Sequence, residues 1–187
     1  MTSPEEISGI ADAINGVLFL DNAYVEFSDT DYLSLMKKHD NLIIGRTMSK
    51  VFGLAGCRIG YAFVPPWLRS VYEKAATPFV VNILSAAAAA GALSDREYVN
   101  RTISHVRKWI ARYQEQCKMP VLESGANFVM INTAPMTGDE CAAALAEQGV
   151  IVRSCRSFPG LENHYIRVCV GEDWECEMFL DRINRLC

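Results

Sequence analysis

The first half of the chain shows short apolar runs separated by stretches with helical periodicity, which predicts strands and helices in alternation. The segment 3–6 (SPEE) combines a capping serine, a proline and two acids, and it predicts the start of a helix that ends near Gly16. The continuous apolar run at 17–20 favours a strand that is buried on both faces in a parallel sheet. Two further strands are predicted at 42–45 and 60–64.

Helical segments are expected between and after these strands. Residues 28–39 are expected to form a connection and a helix, 67–75 a helix, and the alanine-rich segment 83–93 a closely packed buried helix. The segment 95–119 has one apolar face and one charged face, which predicts a long amphipathic helix. The apolar face consists of Val99, Ile103, Val106, Ile110 and Tyr113. We interpret this helix as the link between two domains.

After Pro120 the pattern changes to short strands and two shorter helices. Strands are predicted at 128–131, 150–152 and 165–170, and helices at 138–149 and 172–186. The expected fold class is therefore α/β, with a mainly parallel sheet and helices in the first part and a small α+β domain at the C-terminus. The expected domain ranges are 1–97 and 98–187, the second including the linking helix.

Composition and charge exclude several classes of function. A chain of 187 residues that is 50% hydrophobic can bury a sizeable core. A net charge of −4 without a basic stripe argues against a nucleic-acid partner. The longest apolar stretch, 79–93, is shorter than the roughly 20 residues that a membrane span needs, and the first residues lack the features of a signal peptide. We therefore expect a soluble, cytoplasmic protein without a membrane partner.

The cysteines and histidines do not predict a metal site. The seven cysteines form no C-x-x-C pair, and we expect most of them to be buried small hydrophobic residues in a reducing compartment. His39, His105 and His164 lie far apart and lack the spacing of metal ligands, so no metal is expected.

The segment 45–60 holds the strongest candidate chemistry. Lys50 follows a short hydroxyl-bearing turn, and three glycines and Arg58 follow it. A lysine that condenses with a carbonyl must be neutral part of the time, and burial or a neighbouring cation lowers the pKa of a lysine from about 10.4. The same cation can hold a phosphate, which glycine backbone N–H groups can approach closely. The alternative is an ordinary surface lysine in a glycine-rich loop.

This segment resembles the Schiff-base lysine motif of fold-type I pyridoxal-phosphate aminotransferases (class I/II), most closely that of the histidinol-phosphate aminotransferase family. The family pattern is R-T-x-S-K, an aromatic residue, and G-L-A-G-x-R-x-G-Y, and nearly every position matches. The resemblance implies part of the large domain of a pyridoxal 5'-phosphate transferase. It implies that Lys50 bonds the cofactor and acts as general base and acid, and that Thr47, Ser49 and Arg58 hold the phosphate.

A second motif, Asp21-Asn22-Ala23-Tyr24, lies 29 residues before Lys50. It is similar to the D-E-A-Y of the same family, in which the acid pairs with the pyridine nitrogen and the tyrosine contacts the phenolic oxygen of the cofactor. The resemblance therefore implies cofactor-binding roles for Asp21 and Tyr24. Asn22 departs from the family pattern. The alternative is an aspartate that only caps a helix after the strand.

Two arginines in the C-terminal part match the substrate-anion arginines of the family. In the predicted strand 165–170, Ile166 and Val168 share one face, so Arg167 points the opposite way, and Arg153 ends the preceding strand. Paired guanidinium groups bind phosphate or carboxylate in a bidentate manner. Asn127 matches a family position near the substrate. Either arginine could instead be a solvated surface residue.

The resemblance covers the whole chain, but the chain corresponds to about the last half of a family member. We expect a fragment, a truncated reading frame or one piece of a split protein, poorly active or inactive alone. The expected function is a histidinol-phosphate transaminase that uses an amino donor and a phosphorylated substrate. The expected partner is a second copy in a homodimer or the missing N-terminal half. A threonine-phosphate decarboxylase and a non-catalytic interaction module remain open as alternatives.

Overall fold

The computed structural model describes residues 2–187. They form two compact units, of which the first ends at Ile103 and the second spans Ser104–Cys187. The division falls within one long helix.

The first unit contains a small mixed sheet with helices and short 3-10 turns. Its elements are α1 (Pro4–Ala13), β1 (Leu18–Asp21), 3-10 turns at Val25–Phe27 and Leu33–Lys37, β2 (Leu42–Thr47), a 3-10 turn at Ala55–Cys57, β3 (Gly60–Phe63), α2 (Pro66–Ala75), α3 (Ile83–Ser94) and the start of α4 (Arg96–Gln116). The predicted capping of α1 is confirmed, because Glu6 N donates to Ser3 Oγ over 3.2 Å and the Glu6 carboxylate accepts from Ser3 N over 2.7 Å.

The strands lie in the order β1-β2-β3. β1 and β2 are parallel, with Leu18 opposite Leu42, whereas β2 and β3 are antiparallel, with Ile44 opposite Phe63. The expected parallel pairing of the first two strands is therefore confirmed. Leu42 and Ile44 are completely buried. The core around them contains Ile7, Val25, Tyr32, Leu35, Leu42 and Ile44.

Three sequence predictions for this unit are wrong in detail. β1 is not buried on both faces, because the side chain of Phe19 is 60% exposed on the face opposite Leu18 and Leu20. The helix expected within 28–39 is a 3-10 turn. α3 forms as predicted but is mostly exposed, because only one of its sides packs against the unit, where Ser85 Oγ donates to Cys57 O over 2.8 Å.

The second unit is an antiparallel sheet packed against helices. It contains the rest of α4, then β4 (Phe128–Asn132), α5 (Gly138–Ala146), β5 (Arg153–Ser154), β6 (Tyr165–Cys169) and α6 (Asp173–Asn184). The strand order is β4-β6-β5. The apolar stripe predicted on α4 is partly confirmed, since Val106, Ile110 and Tyr113 are buried. Trp109 was not predicted, and it is also fully buried and donates from Nε1 to Asp173 at the first turn of α6 over 2.6 Å.

The strand predicted at 150–152 does not form. Val150 N donates to Leu145 O and closes the turn after α5, so pairing with β6 begins only at Arg153. Ile151 is 85% exposed. The expectation that most cysteines are buried is also wrong, because only Cys141, Cys155 and Cys176 are buried among the seven. Within residues 2–187, no helix is both long and apolar enough to cross a membrane.

Candidate functional site

The two motifs of the first unit follow neighbouring parallel strands. Asp21 ends β1 and lies opposite Gly45 of β2, and Asn22 N donates to Gly45 O over 2.8 Å. β2 continues to Thr47 and leads directly to Lys50. Open α/β sheets bind ligands beyond the carboxyl ends of their strands. The fold therefore brings both motifs to the same edge of the sheet.

Lys50 lies beside Tyr24. Its Nζ atom is 5.0 Å from the centroid of the Tyr24 ring, a distance at which a cation and an aromatic face attract each other. The flanking residues Met48 and Val51 are 1% and 0% exposed. Lys50 itself is half-buried. Its backbone is thus anchored on both sides, which disfavours the alternative of a freely solvated loop lysine.

Local hydrogen bonds shape the turn around Lys50. Ser49 N donates to Thr47 Oγ1 over 3.1 Å, and Gly53 N donates to Lys50 O over 3.0 Å. Gly53 has φ +69°, a conformation that glycine adopts without strain. A Cβ atom on Gly60 would lie 2.6 Å from Arg46 O, so only glycine fits against β2 there. Two glycines of the motif are therefore required by the backbone itself.

Arg58 has a backbone conformation that is uncommon for its residue type. It follows the 3-10 turn Ala55–Cys57 with φ +47°, in the left-handed region, which costs a non-glycine residue roughly 1–2 kcal/mol. Its Nη1 donates to Ala55 O over 3.1 Å, and its side chain is exposed. Strained residues of this kind cluster at ligand-binding sites.

Asp21 is exposed at the end of β1. Its Oδ1 accepts from Ala23 N over 3.0 Å, which forms a local turn. The segment that follows is a 3-10 turn from Val25 to Phe27, so Asp21 does not cap an α-helix. The carboxylate keeps further lone pairs for a ligand.

A largely buried ion pair between Glu26 and Arg46 was not predicted from the sequence. Arg46 Nη1 lies 3.7 Å from Glu26 Oε1, and the side chains are 17% and 12% exposed. Burial raises the pKa of Glu26, and the charge of Arg46 acts in the opposite direction. The residues are 20 positions apart, so no local pattern links them in the sequence. The position of Arg46 within β2, two residues after the buried Ile44, is the remaining indication of the pair.

Arg153 and Arg167 lie opposite each other in the second unit. They are partners in the pairing of β5 with β6, and both line a cavity of about 470 Å³. The guanidinium of Arg153 lies 4.8 Å from the centroid of Phe158, and that of Arg167 lies 5.0 Å from the centroid of Phe128. Within residues 2–187, Arg167 Nε is buried without a hydrogen-bond partner. The structure thus brings the two arginines together at one cavity.

Asn127 belongs to the same unit but does not line that cavity. Its carbonyl accepts from Val170 N over 2.9 Å, which ties the residue before β4 to the end of β6. Trp174, which is 64% exposed, lines the cavity and was not predicted as a site residue. Its position in the first turn of α6 gave no signal of this in the sequence.

The chain matches the family model of aminotransferases of class I and II over residues 1–183. It is 59% identical over 183 residues to the histidinol-phosphate aminotransferase of Methanoculleus marisnigri, covering 98% of this chain and 52% of that protein. It is 58% identical over 186 residues to the histidinol-phosphate aminotransferase of Methanocorpusculum labreanum, covering 100% of this chain and 53% of that protein. The chain therefore spans about half the length of the curated relatives it matches.

Solved structures of similar proteins confirm the expected fold class. The histidinol-phosphate aminotransferase of Clostridium acetobutylicum superimposes with a TM-score of 0.87 at 22% identity, covering 97% of this chain and 57% of that one. The Sinorhizobium meliloti enzyme of that name, in complex with pyridoxal-5'-phosphate, gives 0.85 at 25% identity, covering 99% and 53%. The L-threonine-O-3-phosphate decarboxylase of Porphyromonas gingivalis gives 0.81 at 21% identity, covering 100% and 60%.

Proposed function

Because the chain belongs to the class I and II aminotransferase family, we propose that it forms the lysine-bearing half of a pyridoxal-phosphate-dependent aminotransferase that acts on histidinol phosphate. The identity of 58–59% over nearly the whole chain to proteins of that name carries this proposal. The decarboxylase of Porphyromonas gingivalis is only 21% identical to this chain, so that similarity supports a shared fold and not a shared substrate. The activity is proposed for the complete protein, since the chain spans about half the length of those relatives.

The side chains at the edge of the first sheet suit the cofactor chemically. Lys50 offers an amine, Asp21 a carboxylate and Tyr24 a phenol, and the backbone at Gly60 leaves no room for a Cβ atom. We assign Asp21 to the pyridine nitrogen and Tyr24 to the phenolic oxygen. The hydroxyls of Thr47 and Ser49 and the guanidinium of Arg58 are assigned to the phosphate.

When bound, pyridoxal phosphate supplies an electrophilic aldehyde carbon and a ring that accepts electrons from the reacting carbon of the substrate. The chain's contribution to the proton transfer is Lys50. Its amine, acting as general base, would take the proton from the substrate carbon. As general acid it would then deliver that proton to the former aldehyde carbon of the cofactor. The buried neighbours Met48 and Val51 hold the lysine backbone in place during this transfer.

Arg153 and Arg167 are proposed to bind the anionic groups of the substrate. Two guanidinium groups at one cavity suit a substrate with a phosphate, and the buried Nε of Arg167 is a donor that a ligand oxygen can satisfy. Asn127 is proposed to lie near the substrate as well. A cytoplasmic location, a homodimer and association with a separate N-terminal half stay predictions.

The test uses a chimera of this chain with the part of the Methanoculleus marisnigri protein that it does not match. We expect amino transfer from histidinol phosphate to a 2-oxo acid, and a loss of about 10²–10⁴-fold in kcat for Lys50→Ala. Lys74→Ala, which changes an exposed lysine on α2, is the matched control and should retain full activity.

Each alternative function predicts a different result for the same chimera. Release of carbon dioxide from threonine phosphate without amino transfer would support the decarboxylase. A folded chimera without turnover on either substrate would support the non-catalytic reading and overturn the proposal.

A further inference from the structure

The side chains on the inner face of β2 are Leu42, Ile44 and the charged Arg46. Leu42 and Ile44 are fully buried, and Arg46 follows them at the spacing of two that keeps a side chain on the same face of a strand. A guanidinium placed there needs a partner, because a buried unpaired charge is strongly disfavoured. Glu26 supplies it, with the 3.7 Å contact to Arg46 Nη1 described above.

The partners come from the two segments that build the candidate site. Glu26 lies in the 3-10 turn that begins directly after Tyr24, and Arg46 directly precedes Thr47 at the end of β2. The parallel pairing of β1 with β2 places Asp21 opposite Gly45, and the hydrogen bond from Asn22 N to Gly45 O continues that pairing by one residue. The turn that carries Tyr24 follows the end of this pairing, and the contact of Glu26 with Arg46 ties that turn to β2.

We propose that the Glu26–Arg46 pair is a positioning device that fixes the turn bearing Tyr24 relative to the strand end that delivers Lys50. The part of the proposal that concerns cofactor capture rests on the function proposed above. Arg46 extends the device to β3, because its guanidinium lies 5.6 Å from the centroid of the Phe63 ring.

The incomplete hydrogen bonding of the pair favours positioning over stabilisation. Within residues 2–187, Glu26 Oε1 and Arg46 Nε are buried without a hydrogen-bond partner. A buried ion pair that is only partly satisfied contributes less to stability than apolar side chains of similar volume would. What it supplies instead is a charge contact between the side chains of the turn after Tyr24 and the end of β2.

The first experiment measures cofactor capture by Lys50. The purified chain is treated with pyridoxal phosphate and borohydride, and pyridoxyl groups are located by peptide mass spectrometry. We expect Glu26→Gln and Arg46→Met to lower the yield at Lys50 about tenfold, because small misplacements at a reacting centre have effects of this order or larger. Arg46→Lys keeps the charge and should restore the yield to within about threefold of the native chain.

Two controls separate positioning from general damage. Arg69→Met removes an arginine from the exposed pair that Arg69 forms with Glu73 on α2, and it should leave the yield at Lys50 unchanged. The double variant Glu26→Leu with Arg46→Met replaces the pair by apolar side chains, so we expect it to fold stably and still label Lys50 poorly. Labelling of the double variant at the native level would overturn the proposal.

The second experiment does not need the cofactor. Hydrogen exchange of the Asn22 amide, which donates to Gly45 O, reports directly on the joint between the two segments. We expect at least tenfold faster exchange there in Glu26→Gln and Arg46→Met, with little change at the Ile44 amide. Unchanged exchange at Asn22 in both variants would refute the positioning role. If the native chain shows no selective labelling of Lys50, the proposed function fails while this measurement still decides the role of the pair.

Discussion

Gly60→Ala tests whether the close approach of β3 to β2 sets the geometry of the Lys50 turn. The added Cβ would lie 2.6 Å from Arg46 O, far inside an ordinary carbon–oxygen contact. The obstacle is backbone within the antiparallel pairing of Thr47 with Gly60, so no side chain can rotate away to relieve it. We expect a loss of about 1–3 kcal/mol in the free energy of unfolding of the first unit, as for other overpacked sites.

Gly56→Ala is the matched control, one turn earlier in the same motif. A Cβ atom on Gly56 meets nothing within 4 Å, and its φ lies outside the left-handed region. The substitution should therefore be neutral or should stabilise by about 0.4–1 kcal/mol through the unfolded chain. The two variants carry the same chemical change in the same loop, but only Gly60→Ala is expected to destabilise the first unit.

The assay is urea unfolding followed by hydrogen exchange of peptides that cover 42–63, so that the first unit is read separately from the second. The borohydride yield at Lys50 is measured on the same samples. We expect Gly60→Ala to lower both the urea midpoint and the yield, because Arg46 and Thr47 must move away from β3. Equal midpoints and equal yields for the two variants would refute the close-approach argument.

Four further outcomes are expected. Borohydride with pyridoxal phosphate should label the peptide containing Lys50 selectively, and Lys50→Ala should abolish that label; even labelling of all surface lysines would contradict the cofactor assignment. The 187-residue chain alone should show little transaminase turnover in a steady-state assay, because it spans about half the length of its curated relatives and a misplacement of catalytic groups by about 1 Å can lower the rate about 10²-fold. Robust turnover would refute this. The pKa of Asp173 is held below its ordinary value, chiefly by the hydrogen bond from Trp109, so the second unit should lose stability as pH falls below about 4; Trp109→Phe should weaken that acid dependence in near-UV circular dichroism. Sedimentation over a concentration series should show association through the exposed edge strand β1 and Phe19, and a monomer at every concentration would exclude it.

The sequence predicted best the features that local periodicity determines. The apolar run before Gly45 forms β2 with Leu42 and Ile44 buried, and the stripe predicted on α4 includes three of its four buried residues, all except Trp109. The parallel pairing of β1 with β2, which brings the two motifs to one sheet edge, was also expected. Composition was a poorer guide to burial. α3 is rich in alanine and leucine, yet Ile83 and Leu84 are each 79% exposed.

The features that were not predicted share a physical cause, which is that they depend on contacts between segments that lie apart in the sequence. The segment 150–152 has the composition of a strand, but the Val150 amide donates to the turn that closes α5, and the neighbouring Ile151 stays exposed. The Glu26–Arg46 pair depends on two segments that only tertiary structure brings together. The facing of Arg153 and Arg167 likewise depends on the register of β5 with β6, which a two-residue strand does not reveal in sequence.

The turn that carries Lys50 and the strand that carries Asp21 differ in how strongly this chain constrains them. Met48 and Val51 are buried on either side of the lysine, Gly60 fits tightly against β2, and β3 covers the outer side of that strand. β1 instead is an edge strand with Phe19 exposed. The constraints on the lysine therefore lie within the chain, whereas one side of β1 lacks a neighbour among residues 2–187. A chain built in this way can hold its reactive amine in place and still lack a closed site, which is why we expect selective capture of the cofactor together with slow turnover.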